Sequence, residues 1–155
     1  NINRGFGISY LNDTSYKVNK NENDKHIKDN NIKCHSIGDY KLYKGLILRC
    51  RKYFIKRGIK FFTNYIYIVD KIKKEINEIE LYDPLTPEKH FNIHFDDITN
   101  FSYNMAGTCH SCQGLTKKGD ITIYDTYLHF INREWFYTAI TRTDDLNKIF
   151  IYTKQ

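Results

Sequence analysis

The arrangement of apolar runs changes once along this sequence, after Asn104, and that change constrains the fold more than any other feature. Between residues 43 and 95 the apolar runs are short, at 46–48, 65–69, 79–82 and 91–95, with turn residues between them. This spacing is typical of a small, curled antiparallel barrel. After Asn104, strand-length runs alternate with helical segments, which predicts a parallel sheet with helices on both faces. The sequence therefore predicts an α/β fold with an antiparallel β-barrel inserted at 43–96.

The second pattern also predicts individual elements. Strands are expected near residues 101–105, 121–124 and 149–152, with a helix or loop from His110 onward. Asn132 is expected to cap a helix that runs through Thr141, because its side chain can accept a hydrogen bond from the first helical turn.

Fewer sequence signals indicate the secondary structure of the N-terminal part of the chain. Residues 7–11 form an apolar run of strand length, and the following segment, 12–14, supplies helix-capping side chains for a helix through Val18. Residues 20–33 are almost wholly polar, so we expect an exposed loop there.

Composition points to a polyanionic partner without naming one. The 155 residues include 24 Lys and Arg against 18 Asp and Glu, a formal charge of +6. Aromatic residues make up 15% of the chain, and many stand beside cations, as at 40–44 and 51–54. Such mixtures suit stacking on single-stranded bases. The alternative, which we favour for most of these rings, is that they pack the strands.

Four cysteines leave two interpretations open. Cys109 and Cys112 are spaced as a C-x-x-C pair, and a zinc site would need two further ligands from Cys34, His35 or Cys50. The sequence contains no second C-x-x-C. We therefore favour reduced structural thiols in a reducing compartment, and we predict no metal bound by this chain itself.

Two motifs carry the most specific signal. Residues 107–116, GTCHSCQGLT, closely resemble motif V of superfamily 1 helicases, and residues 137–143, YTAITRT, resemble their motif VI. The chain is thereby identified as similar to the second RecA-like domain, of the UvrD-like C-terminal type, in RecD-like DNA helicases. The region 43–96 resembles the small barrel that these helicases carry before motif V. Residues 8–14 resemble their motif IV.

The resemblance implies roles for individual residues. It makes Arg142 the catalytic arginine finger, which stabilises charge on the terminal phosphate of a nucleotide held between two domains. Gln113 and Gly114 are implied to bind the nucleotide together with Arg142. The nucleic-acid backbone is implied to contact four residues: Thr108, His110, Ser111 and Asn12.

Each implied role has a plainer alternative. Arg142 is a surface arginine paired with Asp144 or Asp145 in the alternative interpretation. For His110 the alternative is a core histidine bonded to a carbonyl, and for Asn12 it is a helix cap.

The sequence lacks the phosphate-binding motif G-x-x-x-x-G-K-[ST]. The resemblance therefore implies that ATP and Mg²⁺ are bound mainly by an N-terminal RecA-like domain outside this chain, which begins at Asn1. We expect this piece alone to be inactive, intracellular and without a membrane segment, and to bind single-stranded DNA, with RNA also open. A non-catalytic single-strand-binding module and a zinc-bound interaction domain are the competing functions.

Overall fold

The computed structural model describes residues 3–112 and 119–154. Within them the two α-helices are α1, Asn12–Asp29, and α2, Arg133–Ile140. The strands, in chain order, are β1 Phe6–Ser9, β2 His35–Ile37, β3 Tyr40–Leu42, β4 Ile47–Cys50, β5 Phe54–Lys56, β6 Ile59–Phe61, β7 Ile66–Lys73, β8 Glu78–Asp83, β9 Thr86–His94, β10 Phe101–Tyr103, β11 Ala106–Thr108, β12 Ile121–Ile123 and β13 Ile149–Ile151. Short 3-10 helices lie at Lys74–Ile76, Phe95–Asn100 and Leu146–Lys148.

The chain divides into two compact units. Unit 1 consists of Asn1–Glu22 and Met105–Gln155, and unit 2 consists of Asn23–Asn104. The predicted boundary of the inserted segment, 43–96, stays a prediction.

Unit 1 is built on a parallel sheet with the strand order β11-β1-β12-β13. On one face Ile8, Ile121 and Ile123 pack with Ala139 of α2. On the other, Val18 of α1 packs with Ala106 and Tyr124. Helices therefore cover both faces, as the alternation of strands and helices predicted.

The elements expected after residue 120 are confirmed. Strands β12 and β13 lie where apolar runs predicted them, and the Asn132 side chain accepts a 2.8 Å hydrogen bond from the Trp135 backbone N–H at the start of α2. The expectation near residues 101–105 was wrong in one respect. Strand β10 pairs antiparallel with β4 in unit 2, and the strand that enters the parallel sheet is β11.

The expectation of a loop at residues 20–33 was wrong for residues 20–29, because α1 continues to Asp29; residues 30–33 lie outside the helices and strands. Its buried positions follow the helical period but include three polar side chains, Ser15, Asn19 and Asn23, beside Val18. The Asn19 carboxamide accepts hydrogen bonds from Met105 N (2.9 Å) and Ala106 N (2.8 Å) and donates one to Ala106 O (3.0 Å). A helix that buries amides instead of aliphatic groups gives no apolar pattern in the sequence.

Unit 2 contains a five-stranded antiparallel sheet with the order β10-β4-β7-β8-β9 and two hairpins, β2-β3 and β5-β6. Its core combines buried aliphatic side chains with a cluster of aromatic rings. Phe61 is 1% exposed, and its ring centre lies 4.7 Å from Phe54, 5.3 Å from Tyr67, 5.8 Å from Phe91 and 6.2 Å from Phe101. The antiparallel strands predicted within residues 43–95 are present. Their closure into a barrel stays a prediction.

The turn before β7 uses asparagine for an unusual backbone conformation. Asn64 has φ +70°, in the left-handed region that Asn tolerates better than most residues. Tyr65, which follows it, is therefore spared the positive φ that a tyrosine resists.

Among the described residues, no helix is both long enough and apolar enough to cross a membrane.

Candidate functional site

The chain leaves β11 through a tight turn at the carboxyl edge of the parallel sheet. Thr108 Oγ1 accepts a hydrogen bond from Ser111 N (3.1 Å), and Ser111 Oγ donates to Thr108 O (2.9 Å). Cys112 N also donates to Thr108 O, at 3.1 Å. These bonds fix residues 108–112, so the two hydroxyls implied to contact nucleic acid lie side by side.

His110 lies within this turn and is exposed to solvent. The alternative of a buried histidine bonded to a carbonyl was therefore wrong. An exposed imidazole is accessible to an external ligand such as a phosphate.

Arg142 follows α2 and reaches the same turn. Its Nη1 donates to Cys112 O (3.1 Å), and its Nε donates to Thr138 O (3.1 Å). Nη2 lies 3.5 Å from Thr141 Oγ1. The half-buried guanidinium is thereby held beside the last described residue before Gln113.

The surface-pairing alternative for Arg142 finds no support here. Among the described residues, no ion pair joins Arg142 to Asp144 or Asp145. A guanidinium has five N–H donors in a planar fork, so the three bonds above leave donors for an anionic ligand.

Asn12 starts α1 and is exposed at the same carboxyl edge. Strands β1 and β11 are neighbours with Ser9 beside Thr108, and Cys109 N donates to Ser9 O at 3.0 Å. Asn12 lies in the segment that follows β1, and His110 lies in the segment that follows the neighbouring strand β11. Gln113 and Gly114, the other implied nucleotide contacts, lie outside the described residues.

Asp125 organises this edge, although no sequence motif had singled it out. The carboxylate is 1% exposed; Oδ2 accepts from Tyr10 N (3.0 Å) and Leu11 N (2.9 Å), and Oδ1 accepts from Thr14 Oγ1 (2.9 Å). The Asp125 carboxylate therefore binds the backbone N–H groups directly before α1. The sequence had offered Asn12 as the residue that caps this helix. The available signal was an acidic residue directly after the apolar run 121–124, where a parallel strand ends.

Aromatic rings lie exposed at the same end of unit 1. Tyr10 is 44% exposed and its ring centre lies 5.1 Å from Phe130, which is 47% exposed, and 5.8 Å from Trp135. Together with the cationic Arg142 they give the unit both apolar and anion-binding groups.

The cysteines do not form a metal site in the part of the chain described. All four are free thiols, and no group of three or more potential ligand side chains there includes a cysteine. Burial raises the pKa of the Cys109 thiol, and the positive charge of Arg142 partly opposes that rise. Buried thiols with a raised pKa are unreactive structural groups.

One group of acidic and histidine side chains lies in unit 2. The ligand atoms of Asp70, Glu80 and His90 lie within 4.8 Å of one another. Lys73 Nζ is 3.3 Å from Glu80 Oε1, and Lys44 Nζ is 4.0 Å from Asp70 Oδ1. A hydrogen bond with Asp70, together with Lys73, holds the pKa of Glu80 below its usual value. The two lysines balance the two carboxylates, so the group is explained as an ion-pair network.

No protein-family model and no curated protein sequence matches this chain. Solved structures do. A Pif1 helicase from Bacteroides in complex with ADP-AlF3 and single-stranded DNA has a TM-score of 0.64 and 15% identity, over 96% of this chain and 40% of that one. A structure of two coordinating Pif1 helicases at forked double-stranded DNA has a TM-score of 0.56 and 17% identity, over 97% of this chain and 39% of that one. Bacteroides Pif1 bound to single-stranded DNA has a TM-score of 0.54 and 15% identity, over 95% of this chain and 40% of that one.

This chain shares its fold with part of these helicases. It spans about 40% of their length, and the low identity limits the likeness to the fold. The parallel sheet and the additional antiparallel sheets are consistent with the RecA-like α/β class that the sequence predicted.

Proposed function

We propose that this chain is the second RecA-like domain of an ATP-dependent superfamily 1 DNA helicase of the RecD-like branch. The single observation that supports it most is the 3.1 Å hydrogen bond from Arg142 to Cys112 O, which joins the two helicase-like motifs. This bond brings residues of the two motifs together, as a shared nucleotide site requires. The fold shared with part of Pif1 helicases supports the same proposal.

In this proposal Arg142 reaches the terminal phosphate of ATP bound between this domain and an N-terminal RecA-like domain. The guanidinium stabilises the charge that develops on the transferred phosphoryl group, and its position reports whether that phosphate is present. Its bonds to Thr138 and Cys112 preorganise it, so little reorganisation is needed during the reaction. Gln113 and Gly114 complete the nucleotide contact from this side, and Mg²⁺ is held mainly by the other domain.

Thr108, His110, Ser111 and Asn12 are proposed to contact the backbone of a single DNA strand. Hydroxyl, imidazole and amide groups can bind phosphate without reading bases, which suits a motor that moves along any sequence. Opening and closing of the cleft with the nucleotide cycle then shifts the grip along the strand. The antiparallel sheet of unit 2 is proposed to close into a small barrel, because Phe61 touches Phe91 on edge strand β9 and Phe101 on edge strand β10.

The test is the DNA-stimulated ATPase activity of the helicase that contains this chain and its proposed partner domain. Arg142→Ala should lower kcat about a thousandfold or more, the range of arginine fingers, while single-strand binding stays near wild type. Arg133→Ala is the matched control, because Arg133 is an exposed arginine in the first turn of α2. An Arg142→Ala activity within a few-fold of wild type would exclude the arginine-finger role and favour a non-catalytic single-strand-binding module.

A further inference from the structure

Unit 2 contains a long stretch of one charge sign. Between Asp39 and Asp70 the sequence has eight Lys and Arg residues and no Asp or Glu. Such a stretch creates a positive surface wherever its side chains are not neutralised by contacts from elsewhere in the fold.

Half of these cations are neutralised within unit 2. The ion pairs are Lys41–Asp24 at 3.0 Å, Lys44–Asp70 at 4.0 Å, Lys56–Asp97 at 3.1 Å and Arg57–Glu78 at 2.6 Å. Arg51, Lys52 and Lys60 are exposed and make no ion pair with any described residue. Their charge is therefore available to a ligand.

The β5-β6 hairpin turns one face inward and one outward. Phe54 and Phe61 pair across the hairpin and stack at 4.7 Å with an interplanar angle of 5°, facing the aromatic core. Because side chains alternate along a strand, Ile55 and Lys60, which also pair, face the opposite way. Tyr53 and Phe62, which flank the inner pair in sequence, are also exposed.

Three aromatic rings form a continuous exposed row, and Arg51 and Lys52 directly precede the first of them in sequence. The ring centres of Tyr53 and Phe62 are 5.6 Å apart, and those of Phe62 and Tyr65 are 5.3 Å apart. Tyr53, Phe62 and Tyr65 are 45%, 44% and 58% exposed. A hydrogen bond from Tyr65 N to Phe62 O (3.2 Å) closes the turn that sets the last two rings side by side.

We propose that this surface, the hairpin face, binds single-stranded nucleic acid. It consists of the rings of Tyr53, Phe62 and Tyr65 with the cations Arg51, Lys52 and Lys60. Unpaired bases stack on exposed rings in a sequence-tolerant way, and phosphates meet the neighbouring cations. An acidic protein would satisfy the cations but would leave the rings unexplained, and a duplex hides its base faces within its own stack.

The hairpin face deepens the proposed function, since it adds a contact with the same polymer in the other unit. It uses neither Arg142 nor ATP hydrolysis, so each proposal can fail alone.

The experiment measures binding of the 155-residue chain to a labelled oligothymidine of about 15 nucleotides by fluorescence anisotropy. Tyr53→Ala and Phe62→Ala should each weaken binding roughly 5- to 150-fold, the range for loss of one base–ring stack. Tyr53→Phe should bind like wild type, because the ring and not the hydroxyl makes the contact. Tyr16→Ala, which removes a 57% exposed tyrosine of α1, is the matched control and should change nothing.

The cations are tested by salt dependence. Lys60→Gln should reduce the slope of log affinity against log salt by about 0.7, the value for one phosphate contact on a single strand. Lys89→Gln, at an exposed lysine of β9 in the same unit, should leave the slope unchanged.

Two results would overturn the proposal. One is wild-type affinity in both Tyr53→Ala and Phe62→Ala; the other is a blunt-ended duplex of equal length that binds as tightly as the single strand. If the hairpin-face variants lose binding while Arg142→Ala keeps normal ATPase activity, the hairpin-face proposal stands and the arginine-finger proposal fails.

Discussion

The two units are stabilised in different ways. In unit 1, buried polar side chains join segments that are distant in sequence: Asp125 binds the backbone at Tyr10 and Leu11, and Asn19 binds the backbone at Met105 and Ala106. In unit 2, aromatic rings cluster around Phe61 within an interior that also buries aliphatic side chains such as Leu48 and Leu81.

This difference matches what each unit must hold in place. Hydrogen bonds are directional, so the contacts of Asp125 and Asn19 set the positions of the segments that carry the candidate site. Packing of rings is far less directional and mainly supplies burial, which suits a unit whose candidate contact is an exposed face and not a precise catalytic geometry.

The largest expected effect is at the aromatic core. Phe61→Ala removes a ring that is 1% exposed and contacts four others, so the free energy of unfolding should fall by about 3–5 kcal/mol. Urea denaturation followed by circular dichroism measures it. Phe62→Ala, next in sequence but 44% exposed, should cost about 0.5 kcal/mol or less. Equal losses in the two variants would mean that the outer ring is also structural.

A smaller loss is expected at Asp125. Asp125→Ala leaves the N–H groups of Tyr10 and Leu11 without their acceptor and places alanine at φ +66°, so unfolding should become easier by about 1–3 kcal/mol. Asp125→Asn should cost less, because an amide oxygen remains and Asn tolerates this φ. The fluorescence of Trp135, the single tryptophan, follows unit 1 during denaturation.

The control for that prediction is Asp144→Ala, at an exposed aspartate of the same unit, which should leave the unfolding midpoint unchanged. If Asp125→Ala matched this control, the carboxylate would be dispensable and the comparison between the units would lose its main support.

The parts of the fold that followed general rules could be predicted from the sequence. Apolar runs located β12 and β13, and a capping asparagine located the start of α2. Apolar runs could not locate strand β11. It pairs with β1 so closely that a Cβ added to Gly7 would lie 3.1 Å from the Ala106 Cβ. Close packing demands small residues there, and small residues carry no strand signal.

The candidate site divides similarly. The resemblance of residues 137–143 to a helicase motif led to Arg142, and the side chain donates a hydrogen bond to Cys112 O within the 107–116 segment. The role of Asp125 depends on contacts with residues more than 100 positions away, which no local pattern records. For the same reason the exposed row of rings on the hairpin could not be separated in sequence from the rings that pack the core.

The smallest expected effect appears at alkaline pH, where burial raises the pKa of tyrosines in both units, Tyr124 in unit 1 included. Burial raises the pKa of Tyr67 to about 12, and also that of Tyr43 to about 12, both in unit 2. The folded state therefore keeps protons that the unfolded chain loses near pH 10. The stability from this source is complete below about pH 10 and is lost as the pH rises toward 12.

Tyr67→Phe isolates one of these groups. The variant should show a shallower decline of the urea midpoint between about pH 9 and 11 than wild type, because it has one fewer phenol to ionise on unfolding. Tyr65→Phe is the matched control, since it removes a phenol from a ring that is 58% exposed. A Tyr67→Phe decline parallel to wild type would show that the phenol is not insulated from water. Unit 2 would then owe its stability less to a dry aromatic interior than the contacts of Phe61 imply.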